Sequence, residues 1–323
     1  MSILVTGGAG FIGSHVLERL VAMGRRAVCL DNFNDYYCPA VKRDNVAGAL
    51  ASGLVEMVEG DICDIELCRR VFADHAIRRV IHLAARAGVR PSIAQPLLYE
   101  HVNVRGTLNL LECAREAGAE MFVFGSTSSI YGMSARAPFR EDDPAACPIS
   151  PYAATKRACE LLCYTYHHLH GLRFVLTRFF TVYGPRQRPD LAITRFACLM
   201  RAGRPIPVFG DGSSRRDYTY VSDIVDGVIA ALDSDLGYEI VNLGNSHPVS
   251  LDDMIAMLEQ ALGSKARIER LPDQPGDVPL TYADTSKARR LLGYEPKVPF
   301  GEGLRAFVQW FSEGGPERRT VWP

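Results

Sequence analysis

Residues 3–20 read ILVTGGAGFIGSHVLERL, and within them the pattern changes from strand to helix. Ile3–Thr6 is a short apolar run of the kind that forms a buried strand. Gly7, Gly10 and Gly13 follow at G-x-x-G-x-x-G spacing, and Phe11 and Ile12 open a stretch with apolar residues at helical intervals. Each glycine has a physical task in such a turn. The first permits the sharp bend, the second lets backbone approach a pyrophosphate, and the third lets the helix pack closely on the sheet. The free N–H groups of the first helical turn would then face the phosphates. A glycine pattern alone is weak, but a strand before it and a helix after it make a dinucleotide-binding loop.

The same alternation continues along the chain. Strands are predicted at Ile3–Thr6, Ala27–Asp31, Val55–Gly60, Arg79–Ala84, Met121–Phe124 and Phe174–Arg178, with helical stretches between them such as NVRGTLNLLECAREAG (103–118). Short strands separated by helices give an α/β fold with a doubly wound parallel sheet, a Rossmann sheet. Beyond about residue 180, Pro and Gly interrupt the pattern in YGPRQRPD (183–190), RAGRPIPVFGDGSS (201–214) and RLPDQPGDVP (270–279). A helix over Leu251–Leu262 and a strand in YEIVNLG (238–244) remain. Residues 1–180 with 217–245 are therefore assigned to an NAD-binding domain, and 181–216 with 246–323 to a smaller C-terminal α/β lobe for the substrate. An acid ends the second strand and another follows the third. Asp31, with Asn32 beside it, is placed to bond ribose hydroxyls and to repel a 2′-phosphate, which favours NAD over NADP. Asp61, with Ile62, would meet the adenine.

Bulk properties exclude several classes. A formal charge of −1 gives no field to recruit nucleic acid or an anionic membrane. No apolar stretch approaches the roughly 20 residues of a bilayer span. Nine cysteines without a CxxC pair fit reduced thiols in a cytoplasmic protein. The first strand begins at once with SILVTGG, so no signal peptide is expected. HHLH (167–170) has no Cys or acid partner at ligand spacing, so no metal site is expected.

Two further stretches carry chemistry. In MFVFGSTSSIYG (121–132) an apolar strand leads into Ser126, Thr127, Ser128 and Ser129, where α/β proteins bind ligands, with no acid among them. In SPYAATKRACELL (150–162) Tyr152 and Lys156 stand four apart, on one face of a helix. A free phenol has a pKa of about 10 and is a poor base near neutrality. An ammonium one turn away, together with a nicotinamide's positive charge, would favour the phenolate.

The order TGGAGFIG (6–13), HLAA (82–85), hydroxyl cluster and Tyr-x-x-x-Lys resembles the extended short-chain dehydrogenase/reductase family, and within it the nucleotide-sugar epimerases and dehydratases. The likeness runs on through RFFTVYGPRQRPD (178–190), VFGDGSSRRDYTYVSDIVDG (208–227) and QPGDVPLTYAD (274–284), covering nearly the whole chain. It implies that Tyr152 is the base, that Lys156 supports it and the nicotinamide ribose, and that Thr127 shares the sugar hydroxyl with Tyr152. Ala84 and Ala85 would line the cofactor. Backbone at Val208 and Phe209 would meet the uracil of a UDP-sugar and Arg216 its diphosphate, with Arg90, Ser128, Ser129, Thr181, Gln274 and Asp277 completing the substrate site. The resemblance also implies a homodimer built on two helices per subunit, near 98–117 and 152–170.

Members that eliminate water resemble STDEVYG at the hydroxyl cluster, with an Asp–Glu pair as acid and base. Members that decarboxylate UDP-glucuronate carry Glu in the place of Ser129. Thr127-Ser128-Ser129 offers no carboxylate to move a C5 proton or assist carboxyl loss. What remains is 4-epimerisation: Tyr152 takes the O4 proton while the C4 hydride goes to NAD, the 4-keto sugar turns over, and the hydride returns to the other face. DNFNDYYCPAVKRDN (31–45) and AGVRPSIAQP (87–96) are similar to UDP-glucuronate 4-epimerases more than to the UDP-glucose type, which usually has Asn at Thr181 and Arg at Gln274. Arg188 resembles the arginine that grips the C6 carboxylate, a strong and directional pairing. A UDP-glucose or UDP-N-acetylglucosamine 4-epimerase, a dehydratase and a non-catalytic NAD-binding module are the alternatives. The last would be marked by loss of Tyr152 or Lys156, and both are present.

Overall fold

The computed structural model describes residues 2–134, 136–274 and 276–314. Its strands in chain order are β1 (Ser2–Thr6), β2 (Ala27–Asp31), β3 (Val55–Glu59), β4 (Ile77–His82), β5 (Met121–Thr127), β6 (Phe174–Phe179), β7 (Thr181–Tyr183), β8 (Ile206–Phe209), β9 (Arg215–Tyr220), β10 (Tyr238–Leu243), β11 (Pro248–Ser250) and β12 (Ile268–Leu271). Seven of them form the main sheet in the order β10-β6-β5-β4-β1-β2-β3, and every pairing is parallel. β2 is buried along its whole length, as a parallel strand covered on both faces must be. One face carries Val16, Leu17 and Leu20 of the helix Phe11–Ala22 with Ile224 and Val228 of Val221–Asp233. The other carries Leu110 and Leu111 of Gly106–Ala117 with Cys159 and Cys163 of the long helix Pro151–His170. The doubly wound α/β expectation is met.

Several strand ends differ from their sequence reading, β4 by two residues at each end, and two differences bear on the site. β5 runs past Phe124, so Ser126 and Thr127 are its last residues, paired with Arg178 and Phe179 of β6. The stretch before Gly106 is a π-helical turn, Glu100–Arg105. It turns Asn103 inward, where Oδ1 accepts from Arg86 N at 2.8 Å and Nδ2 donates to Arg86 O at 3.0 Å. Single π turns of this kind tend to occur at functional sites.

The remaining strands make a three-stranded sheet, β11-β9-β7, and a pair, β12-β8. With the helices Ala192–Arg201, Leu251–Leu262 and Phe300–Ser312 they enclose a second core that contains Tyr183, Phe196, Met254, Leu258, Leu304 and Phe307. β9 spans the 216/217 boundary: it pairs with β7 and β11, while the helix it enters packs on the main sheet.

Candidate active site

β1 turns at Gly7, whose φ of +68° suits glycine and whose N–H donates to Leu30 O at 2.8 Å. A Cβ there would come within 2.6 Å of Ala84 N, and one on Gly13 would collide with Gly7 O. Gly10 starts the following helix with no side-chain cap, so that first-turn N–H groups are left for a ligand. The cleft above this turn, about 210 Å³, is lined by Gly7, Gly10, Phe11, Ile12, Gly13, Asp31, Asn32, Asp61, Ile62, Ala84, Ala85, Tyr152 and Lys156, every cofactor residue expected from the sequence. The Asp31 carboxylate accepts from Ala9 N at 3.1 Å and Phe33 N at 2.9 Å, while Asn32 Nδ2 donates to Asp61 Oδ2 at 2.8 Å. A cradle closed to any Cβ, an uncapped helix start and an acid at the end of β2 fit NAD. Lys42, absent from the sequence reading, lies buried beside them and donates from Nζ to Asn34 O at 2.8 Å. Burial pulls its pKa down to about 8, against the charge of Asp31.

Tyr152 lies in the first turn of the long helix, which Pro151 begins and Ser150 caps by accepting from Ala153 N at 3.2 Å. Its hydroxyl shares a hydrogen bond with Thr127. Thr127 in turn donates to Ser129 Oγ and accepts from Ser129 N, both at 3.1 Å. Burial raises the phenol's pKa, while the Thr127 bond and the charge of Arg188 pull it part of the way back. Lys156, expected to support Tyr152 and the nicotinamide ribose, stands one turn on along the same helix and lines the same cleft. Nζ donates to Gly125 O at 2.8 Å and lies 4.6 Å from the centre of the Phe124 ring, and burial lowers its pKa to about 8.

Sequence reasoning missed what holds these groups. Glu160, one turn beyond Lys156 and fully buried, accepts from Ser126 Oγ at 2.6 Å, Arg178 Nε at 3.0 Å, Arg178 Nη2 at 2.8 Å and Arg157 Nη1 at 3.0 Å. Arg178 also donates to Tyr131 Oη at 2.9 Å, and Tyr131 to Asn242 Oδ1 at 2.7 Å. This network ties the helix of Tyr152 and Lys156 to both ends of the Thr127–Ser129 stretch. The signal for it was an Arg and a Glu inside otherwise apolar strand and helix faces.

A second cleft of about 520 Å³ continues into the smaller lobe, lined among others by Arg90, Thr181, Phe209, Arg216 and Asp277. Tyr36 and Arg188 line both clefts and so mark their border. Arg90 Nη2 donates to Asp277 Oδ2 at 2.6 Å, and its guanidinium lies 4.5 Å from the centre of the Phe209 ring. Arg216 donates to Arg215 O at 3.0 Å. Burial lowers its pKa, with Tyr218 and Asp277 working the other way. Arg188, expected to grip the C6 carboxylate, has its Nε and Nη2 on Asp190, each bond 2.9 Å. Val208 is buried in the core of the lobe and lines neither cleft. Ser128, Ser129 and Gln274 lie outside both linings, Gln274 accepting from Asp277 N at 3.3 Å. Among the described residues no three His, Cys, Asp or Glu side chains gather as a metal site. No helix among them is long and apolar enough to cross a membrane.

The sequence profile of the GDP-mannose 4,6 dehydratase family matches residues 4–307. The chain belongs to that family. Within it, the chain is 46% identical over 311 residues to the UDP-glucuronate 4-epimerase of Thermodesulfobacterium geofontis, covering 96% of each protein. It is 42% identical to UDP-glucuronate 4-epimerase 4 of Arabidopsis thaliana, covering 96% of this chain and 75% of that one. The crystal structure of UDP-glucuronic acid 4-epimerase from Bacillus cereus, in complex with UDP-glucuronic acid and NAD, superimposes with a TM-score of 0.91 at 36% identity over 97% of this chain and 99% of that one. Family members named for dehydration and for epimerisation thus share one scaffold, and in this chain the stretch Ser126–Ser129 at the end of β5 holds no carboxylate.

Proposed function

We propose that this protein interconverts UDP-glucuronate and UDP-galacturonate by epimerisation at C4. The observation that carries the reading is Arg188 at the border of the two clefts, beside a Tyr152 whose near neighbours are hydroxyls. Bound NAD would accept and return the C4 hydride and bring a positive ring near the phenol. Gly7, Gly10, Gly13, Asp31, Asn32 and Asp61 would hold it, with Lys156 at the nicotinamide end. Tyr152 would take the O4 proton and give it back, with Thr127 keeping the phenol aimed at O4. Arg216 would pair with the diphosphate and Phe209 would carry the base, while Thr181 faces the sugar. Arg188 would hold the C6 carboxylate near the ring plane, which matters because a 4-keto uronate is a β-keto acid that loses CO₂ when that bond stands perpendicular to the ketone. Ser128 and Ser129 give the intermediate no carboxylate base.

The division into 1–180 with 217–245 for NAD and 181–216 with 246–323 for the UDP-sugar goes with this reading. So does a homodimer on the helices near 98–117 and 152–170, since Leu161 and Tyr164 are more than half exposed on the outer face of the long helix. All nine cysteines are free thiols, which supports a cytoplasmic location. One observation favours a second reading: Asp190 already neutralises Arg188, which suits a neutral UDP-hexose. Incubating the protein separately with UDP-glucuronate, UDP-glucose and UDP-N-acetylglucosamine and resolving the products decides between them. Conversion of UDP-glucuronate alone or foremost is expected, and a preference for a neutral hexose would overturn the reading.

A further inference from the structure

The Arg188–Asp190 pair has an unusual place for a loop salt bridge. It stands on the border of the cofactor and sugar-nucleotide clefts, with the two side chains 20% and 17% exposed. Asp190 engages the Nε–Nη2 side of the guanidinium. Arginine has five N–H donors in a fixed plane, so Nη1 and the outer N–H of Nη2 stay available to a second carboxylate. The Tyr36 ring lies 5.6 Å from the guanidinium carbon, and its hydroxyl donates to Asp190 Oδ2 at 3.4 Å. Burial works to raise the pKa of Asp190, but Arg188, a backbone N–H and the Tyr36 hydroxyl together outweigh it and the net shift is downward. Asp190 is therefore an ionised carboxylate within a sugar site read as taking a carboxylate.

Epimerisation makes a demand that simple binding does not. The 4-keto sugar must turn over, so its own carboxylate has to leave Arg188 and take a new hold. Leaving a largely covered guanidinium without a counter-charge is strongly destabilising, and a sugar gripped by such a cation would stay in one orientation. We propose that Asp190 is a positioning residue, a resident counter-charge that keeps Arg188 paired and in plane while the substrate carboxylate lets go and re-engages. This rests on the reading of the site as a uronate 4-epimerase. With both carboxylates present the cluster carries one net negative charge, so Asp190 weakens the grip on substrate and speeds the turn. A staple that merely holds the 184–191 loop would be indifferent to whether the sugar bears a carboxylate.

The test compares wild type, Asp190→Asn and Asp190→Glu with UDP-glucuronate and UDP-glucose, reading KM, kcat and the near-ultraviolet absorbance of enzyme-bound NADH at steady state. With UDP-glucuronate, Asp190→Asn is expected to lower KM several-fold, to lower kcat tenfold or more, and to raise the standing level of reduced cofactor because the 4-keto sugar waits to turn. Asp190→Glu should recover part of kcat. Any turnover of UDP-glucose should change less than threefold. Unchanged constants, a raised KM, or equal losses on both sugars would overturn the proposal. If Asp190→Asn folds poorly by thermal melting, Asp190→Ser carries the same test, and failure of both to fold would make the pair structural. A wild type that does not convert UDP-glucuronate defeats the reading of the site, whereas a wild type that does so beside an indifferent Asp190→Asn defeats only this inference.

Discussion

Glu160 and Arg178 meet as a side-on ion pair with 0% and 1% of their side chains exposed, directly beneath the residues expected to do the chemistry. Removing one partner of such a pair leaves a buried charge uncompensated, at a cost of about 3–5 kcal/mol. Glu160→Gln should therefore lower stability by that order in urea denaturation. It should also lower kcat, since Ser126 and the long helix lose their shared anchor. A loss below about 1 kcal/mol would mean that water or Glu141, whose charge also reaches Arg178, takes over the compensation.

Tyr152→Phe removes the proposed proton acceptor and little else. Turnover should fall by about 10²–10⁴, the usual worth of a positioned acid or base. Binding of NAD and of UDP measured by calorimetry should change little. Retention of more than a tenth of the activity would take the base role away from Tyr152.

Arg188→Ala should raise KM for UDP-glucuronate and slow its epimerisation about tenfold or more, on the order of 1.4 kcal/mol. It also strands Asp190 in the sugar cleft, adding repulsion to the lost attraction. The same losses on UDP-glucose would assign Arg188 a structural role instead.

Burial lowers the pKa of Lys156 to about 8 against an unperturbed 10.5. Cys159, Cys163 and Glu160 on its own helix work to keep the proton on, and His82 below it is held neutral by burial. The ammonium is present below pH 8 and lost above it, so kcat/KM should decline on a basic limb near that value. Lys156→Arg should move the limb upward, because a guanidinium keeps its proton. For folding the sign is opposite: the unfolded chain binds the extra proton between pH 8 and 10.5, so this group's contribution to stability rises with pH over that window.

Asp31→Ala should weaken NAD and narrow its preference over NADP, measured as the ratio of binding constants. Lys42, close enough to Asp31 for its charge to count, would then face a 2′-phosphate without its neighbouring carboxylate. An unchanged ratio would show that another residue sets the choice.

The glycine turn, its strand and its helix were legible because each glycine answers a local steric need that sequence displays directly. β2 and the helix Leu251–Leu262 came out at their observed ends, since Asp31 follows an apolar run and Ser250 and Gly263 cap the helix. The end of β5 did not, because Ser126 and Thr127 read as turn residues until Arg178 and Phe179 pair with them across 52 positions of chain order. The placement of Lys156 on Gly125 O, the pairing of Arg188 with Asp190 and the burial of Val208 in the core of the smaller lobe are likewise tertiary facts. Spacing along a helix or loop says which side chains share a face. It does not say which acceptor lies opposite.

The edge strand β10 has a consequence for how the chain is made. It completes the main sheet beside β6, yet it is synthesised only after β7, β8 and β9 of the other lobe. On the ribosome β6 must wait with one edge unpaired until Leu243 has emerged, a delay of several seconds at roughly 5–20 residues per second. An open strand edge is a template for pairing with another chain. The nascent protein is thus most vulnerable to misassociation in mid-synthesis, and a fragment stopped at residue 180 would carry that open edge permanently.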